Sequence, residues 1–364
     1  MKKLISAALA MALGLSMAAC GQTKTASSVS SQSVAASSEA VSTAESQNVS
    51  TFPVTVTDQA GREVTIASEP EKIVSGYYIS SSALIALGAE DRMVGIEAKA
   101  DKRPIYQLSA PELIELPSVG TAKEFNPEVC TSLEPDLVVL PIKLQSATES
   151  LVEMGIPVLY VNPESSTELD EMITLLGQAT GTSEKAQQLL DFEENTGYEL
   201  TGRMEESLSD ATNVPSVYLA GNSDLLSTAG GNMYQSIMVA MAGGTNAAEE
   251  LTDAYWADVS YEQLLAWDPE WIVLASDASY TVEEVLGDEN LADCTAVKEG
   301  HVIQMPNAAE AWDSPVPSGI LGSVWLAGQL HPDLVSEDYV NETIETFYQT
   351  FYGFDYAAIP SEQN

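Results

Sequence analysis

The apolar and polar positions of this chain fall into strand-length and helix-length segments that alternate along most of its length. Phe52–Ile66 alternates around a Gln-Ala-Gly turn and predicts a β-hairpin. Beyond it, Ile73–Val74, Arg92–Ile96, Leu137–Leu140 and Pro157–Val161 are short apolar runs, the pattern of parallel strands buried on both faces. Helical patterns separate them: Ser80–Leu87, closed by Gly88 where a helix C-terminus favours glycine, and a stretch around Met172–Leu176. The plan then recurs. Val217–Ala220, Trp271–Ala275 and Val302–Met305 predict strands, while Tyr234–Met241, Tyr261–Leu265, Ile320–Leu330 and Asn341–Tyr352 predict helices. Such alternation gives an α/β fold, with a parallel sheet in each half covered on both faces.

One segment is repeated outright. Asn126–Leu140 (NPEVCTSLEPDLVVL) returns as Ser260–Leu274 (SYEQLLAWDPEWIVL), in register and without a gap. Glu128 falls on Glu262, Pro135 on Pro269, Val139 on Val273 and Leu140 on Leu274. Glu134 and Asp268 match in charge, as do Asp136 and Glu270. Each copy reads as a short helix, an acidic-Pro-acidic break and a buried strand, because proline cannot continue a helix and restricts the residue before it. Between the copies, Glu184–Leu208 runs without proline and as one helix would span roughly 38 Å. Gly197 and Gly202 weaken it by about 1 kcal/mol each, so packing must hold it. A single long helix between two α/β halves is a stiff spine.

The start of the chain is of another kind. Lys2 and Lys3 precede an apolar stretch, Leu4 to Met17, too short to span a bilayer, and then Ala18-Ala19-Cys20-Gly21. Small residues directly before a cysteine resemble a bacterial lipoprotein processing site, at which Cys20 would be lipidated and become the first mature residue. Met17 stands where leucine is commonest. Gly21 to Thr51 is mostly Ser, Ala, Thr, Gln and Val, which cannot bury enough apolar area to offset the entropy of ordering it. It reads as a tether of roughly 30 Å mean reach. The expected divisions are a lipoprotein signal peptide (1–20), a flexible tether (21–51), an N-terminal α/β lobe (52–180), a connecting helix (181–210) and a C-terminal α/β lobe (211–364).

Charge narrows the partners. The chain has 14 Lys and Arg against 54 Asp and Glu, a formal net charge of −40. Nucleic acid and anionic lipid surfaces both need a basic footprint and are excluded, which leaves a lipid anchor as the membrane contact. Past Cys20 only Cys130 and Cys294 remain, each in or beside apolar helical pattern, so buried thiols are expected rather than a disulfide. Only His301 and His331 are available as imidazole ligands, too few for a resident zinc or manganese site. No G-x-S-x-G elbow, phosphate loop or local His/Asp arrangement is present to activate a nucleophile, and the chain is expected not to be an enzyme.

Several segments together carry a family resemblance. They are Ala60-Gly61-Arg62-Glu63-Val64, Lys72-Ile73-Val74-Ser75, Ala86-Leu87-Gly88-Ala89-Glu90-Asp91-Arg92-Met93-Val94-Gly95, Pro117-Ser118-Val119-Gly120, Asn126-Pro127-Glu128 and Leu133-Glu134-Pro135-Asp136-Leu137-Val138. In the second half Val259-Ser260-Tyr261-Glu262, Asp268-Pro269 and Ala296-Val297-Lys298-Glu299-Gly300 answer them. Over about residues 52–335 the chain resembles substrate-binding proteins of ATP-driven (ABC) importers, in the class for iron-siderophore, haem and cobalamin uptake. That resemblance implies the class III architecture: two Rossmann-like lobes, each a parallel sheet with flanking helices, joined by one long rigid helix, with the ligand held between them. It implies a monomer, anchored on the extracytoplasmic face of a bacterial membrane, that meets a two-fold symmetric permease. It also gives Glu128 and Glu262 a role, since an acidic residue at this place on each lobe docks into arginine pockets of the permease. Arg–carboxylate pairs are bidentate and geometrically exacting, which suits such docking.

Ligands of open α/β sheets bind beyond the carboxyl ends of the strands. Lys99, Lys102, Arg103, Lys123 and Lys143 cluster in the first lobe, whereas from Ala211 onward the only base is Lys298. Arg103, just before Pro104, is the preferred contact to an anionic ligand group, with Lys143 in another cleft loop. The second lobe offers Tyr255, Trp256, Tyr280 and Trp312, which Tyr77 and Tyr78 would face from across the cleft. An anionic grip opposing an aromatic wall suits a bulky small-molecule metal chelate. A ferric siderophore or haem leads, cobalamin follows, and an oxyanion such as molybdate remains open. An enzyme, or a sensor that has lost its transporter, is the rival class, because fold alone does not fix function.

Overall fold

Runs of Val, Ile and Leu pair into two sheets. The computed structural model describes residues 51–253 and 256–360; the leader, the tether, Cys20 and Tyr255 lie outside the described residues. An antiparallel hairpin of β1 (Val54–Thr57) and β2 (Glu63–Ile66) comes first. Asp58 closes its turn by accepting from the backbone N–H of Ala60 and Arg62 and by pairing with the Arg62 guanidinium at 2.6 Å.

The first sheet contains β3 (Ile73–Ser75), β4 (Met93–Gly95), β5 (Leu137–Pro141) and β6 (Val158–Val161), in the order β4-β3-β5-β6 with every pairing parallel. Each residue of β5 and β6 is buried, as a strand covered on both faces requires. Its helices are α1 (Tyr78–Ala86), α2 (Pro104–Ser109), α3 (Pro127–Ser132), α4 (Glu149–Glu153) and α5 (Ser166–Thr180). Gly181, at φ 76°, ends α5 in the left-handed conformation that glycine adopts without strain.

The connecting helix α6 (Ser183–Leu208) is continuous over 26 residues. It crosses close to α5, because a Cβ on Gly177 would stand 2.5 Å from that of Ala186. Its buried stripe, Ala186, Leu189, Thr196, Leu200 and Met204, supplies the packing that two interior glycines demand.

The second sheet contains β7 (Ser216–Ala220), β8 (Ser227–Ala229), β9 (Thr245–Asn246), β10 (Trp256–Asp258), β11 (Trp271–Leu274) and β12 (Val302–Gln304). Its order is β10-β8-β7-β11-β12, with β9 also on β7. The β9, β7, β11 and β12 pairings are parallel, while β8 and β10 add an antiparallel edge. Around it lie α7 (Tyr234–Met241), α8 (Tyr261–Trp267), α9 (Val282–Leu286), α10 (Thr295–Glu299), α11 (Ile320–Leu330) and α12 (Glu337–Phe351).

The repeat survives in atomic detail. Asn126 caps α3 by accepting from Val129 N–H at 3.1 Å, and Ser260 caps α8 by accepting from Gln263 N–H at 3.2 Å. After each proline, the acidic residue ties its strand to the start of the neighbouring one. Asp136 accepts from the N–H of Lys72 at 2.9 Å, and Glu270 from the N–H of Ser216 at 3.0 Å. One apolar core joins α1, α5, α6, α7, α11 and α12, and a smaller core lies under each sheet. A core shared in this way makes the two halves resist separation.

Candidate functional site

The first wall begins where β3 ends. Gly76 sits so close to Leu140 that a Cβ would come within 2.5 Å of its Cδ2, so the chain turns there on glycine. Tyr77 and Tyr78 follow, with ring centroids 5.4 Å apart, edge to face. Pro104 occupies the first turn of α2 and fixes the direction of Arg103 before it. The Arg103 guanidinium lies 4.2 Å from the centroid of the Tyr78 ring, and Lys143 Nζ lies 5.9 Å from that of Tyr77. Among the described residues, no ion pair or side-chain hydrogen bond takes Arg103 or Lys143.

Three successive serines at the start of α1 face inward. Ser80 donates to Tyr77 O at 2.8 Å, Ser81 donates to Glu97 Oε2 at 2.7 Å, and Ser82 meets Tyr352 Oη at 2.8 Å. Glu97 also accepts from Tyr106 Oη at 2.8 Å. Burial raises its carboxyl above the ordinary range, although the two hydroxyls and Arg103 pull it down. Across the cleft Glu310 accepts from Ser318 and bonds Ser82, and burial raises it too. Asp313 accepts from the N–H of Ser276 at 2.9 Å and its Oγ at 2.6 Å. Tyr78 reaches the Ser314 side chain, so hydroxyls and carboxyls stitch the two walls together along the floor.

Between these walls lies a cavity of about 410 Å³. Its first side is Tyr78 and Lys102–Gln107, and its second is Asp277, Asn307–Ala311 and Val316. Asn307 Nδ2 donates to Ser276 O and Asp277 Oδ1, at 3.0 and 3.2 Å, which fixes the second side. The volume lies in the range of small-molecule sites.

Tyr77, Tyr78, Arg103 and Lys143 therefore come together on one wall. Trp256, on the edge strand β10, is 43% exposed and packs its ring against Gly221. Tyr280 is half-buried, donates to Gly221 O at 2.7 Å and packs into the core under the second sheet. Trp312 is a correction: it is 1% exposed, its Nε1–H donates to Tyr348 Oη at 2.8 Å, and it offers no face to a ligand. The aromatic rings of α12 and the segment after it, with Tyr356 5.7 Å away, draw it into the core. The expected aromatic wall of the second lobe is thus much reduced.

Sequence reasoning missed Glu97, Glu310 and Asp313. The triple serine Ser80-Ser81-Ser82 was the available signal, since buried hydroxyls imply polar partners. Glu128 and Glu262 are both exposed in the first turns of α3 and α8. Hydrogen bonds from its own N–H and from Ser260 lower the Glu262 carboxyl. Cys130 and Cys294 are free and buried. Among the described residues, no group of three or more His, Cys, Asp or Glu is placed to hold a metal ion, and no helix is long and apolar enough to cross a membrane.

The model of the family described as "Periplasmic binding protein" matches residues 73–309. The molybdate-binding protein MolA of Haemophilus influenzae is 26% identical over 83% of this chain and 91% of its own. The MolA structure with bound molybdate superposes with a TM-score of 0.71 at 25% identity, covering 83% of this chain and 99% of MolA. A periplasmic solute-binding protein of Veillonella parvula gives 0.73 at 26% identity, over 85% and 95% of the two chains. A cobalamin-binding protein of Halobacterium salinarum is 26% identical over 65% of this chain and 62% of its own. The chain belongs to the periplasmic binding protein family, with the class III architecture, and is a substrate-binding protein of the ABC importer type. Family members are extracytoplasmic solute-binding proteins rather than enzymes.

Proposed function

We propose that the protein captures an anionic metal complex, with a ferric siderophore or haem as the leading class, in the cleft beside Arg103 and delivers it to an ABC permease. The observation that carries this reading is the Arg103 guanidinium, stacked on Tyr78 at the cavity edge with no acidic partner within ion-pair distance among the described residues. An unpaired guanidinium beside an aromatic face suits planar, oxygen-rich anions. A cavity of about 410 Å³ has room for far more than a bare tetrahedral oxyanion. An oxyanion is the second reading: the burial of Trp312 removes part of the surface a bulky chelate would use, and the similar MolA binds molybdate. Cobalamin, bound by the Halobacterium relative, is the third.

Delivery rests on Glu128 and Glu262 as paired handles, supported by their exposure on matching turns of matching helices. Lipidation at Cys20 would hold the domain at the membrane. Titrating the purified protein with a ferric catecholate, haem, cyanocobalamin and molybdate, while following tryptophan fluorescence, tests the ligand class. A saturable response to one of the ferric complexes alone supports the leading reading. A response to molybdate alone would replace it with the second, and one to cyanocobalamin alone with the third.

A further inference from the structure

A separate cavity of about 420 Å³ opens between the two halves of the molecule. Its lining comes from α5 of the first half, the connecting helix α6, and α7 and α11 of the second. None of the residues lining the cavity beside Arg103 takes part in it.

Most of its surface is hydrocarbon and thioether: Leu169, Leu190, Ile237, Met238, Met241 and Ile320. Ile237 is 42% exposed and stands at its rim. Thioether side chains adapt to varied shapes, so this wall suits a flexible hydrocarbon group. Set into it are Asp170, Glu193 and Glu194, with no base among the lining residues. Among the described residues none of the three takes part in an ion pair. Glu194 is oriented by Tyr198, whose hydroxyl donates to it at 3.0 Å. The Asp170 and Glu193 carboxyls bond each other across the α5–α6 contact, which two carboxyls do only by sharing a proton. Burial raises both carboxyls, and Asp170 raises Glu193 further by its charge and by the bond between them. Carboxyls pressed together beside apolar surface, with the Tyr234 ring at hand, are complementary to a positive charge carried on a hydrocarbon body.

We propose that this pocket is a second binding site, which takes a hydrophobic organic cation with its ammonium group against the proton-sharing Asp170–Glu193 pair and its hydrocarbon against the Leu, Ile and Met wall. The occupant would bridge the two halves through α5, α7 and α11, and so favour one arrangement of them.

Calorimetric titration of the purified protein with hexyltrimethylammonium tests this, with hexanoate as the control of equal chain length and opposite charge. The cation binds at one saturable site and hexanoate does not. The Asp170→Asn/Glu193→Gln double variant weakens binding by about ten-fold or more. Ile237→Arg, a change on the exposed rim that the helix tolerates, blocks the pocket and abolishes binding. Arg103→Ala leaves it unaltered. The proposal is overturned if the cation shows no saturable binding at millimolar concentration, if hexanoate binds equally, if both pocket variants bind like the parent, or if Arg103→Ala removes binding.

Discussion

Glu134 and Asp268 adopt the same left-handed backbone conformation, with φ of 50° and 46°, at matching places in the two halves. Each stands one residue before the proline that separates a helix from its buried strand, and neither is glycine. A left-handed L-residue is strained, and what offsets the strain differs between them. Glu134 reaches only an exposed Lys72 at 3.2 Å, a pairing of little worth in water. The Asp268 carboxylate instead accepts from Thr295 N–H and Oγ1, at 2.8 and 3.0 Å, and fastens the start of α10.

Glu134→Gly should therefore stabilise the fold, by about 0.5–1 kcal/mol, because glycine adopts this conformation freely. Asp268→Gly should not, since it also removes two hydrogen bonds. Urea midpoints of the two variants check this, and an equal gain in both would refute the difference.

Trp312 is structural. Trp312→Ala should cost about 3–5 kcal/mol, as truncation of a buried aromatic does, and Trp312→Phe less. The fluorescence change on ligand binding should come instead from Trp256, the exposed tryptophan of β10. Trp256→Phe is expected to abolish that change while Trp312→Phe keeps it.

Glu97, Glu310, Asp170 and Glu193 are all raised, by burial first. Facing the Asp170–Glu193 pair are Glu171 on α5, Glu194 on α6 and Tyr234 on α7, none of which supplies positive charge. An acid raised in the folded state keeps its proton there after the unfolded chain has lost it. Stability is then full below the ordinary carboxylate range and falls as pH rises through the raised values. Self-repulsion of a chain of net charge −40 acts in the same direction. Tm should be higher at mildly acidic than at neutral pH, and the Asp170→Asn/Glu193→Gln variant should flatten the slope. A Tm that climbs from acid to neutral pH would contradict this.

The Cys130 thiol is pushed up to about 11 by burial, and Cys294 is raised as well. Neither should react with iodoacetamide at neutral pH in the native protein, and both should react in urea. Mass spectrometry of the alkylated chain reads this directly.

The parallel strands were readable in the sequence because β5, β6 and β11 are apolar nearly throughout, and α7 and α11 match their expected bounds to the residue. Strands β8, β9 and β10 were not, since two or three residues of mixed exposure carry no period. Within the site, Arg103 stood out because bases are scarce. The buried acids did not, because 54 carboxylates hide the few that matter. The place of Trp312 depends on Tyr348 and Tyr356, contacts that no local pattern announces.

The most direct test is a calorimetric titration of the parent protein, Arg103→Lys and Arg103→Ala with the ferric complex that binds best. Affinity should fall with each step, by about ten-fold or more for alanine, because lysine keeps the charge but not the planar two-point grip. Equal affinity in all three proteins would contradict an anion held at Arg103.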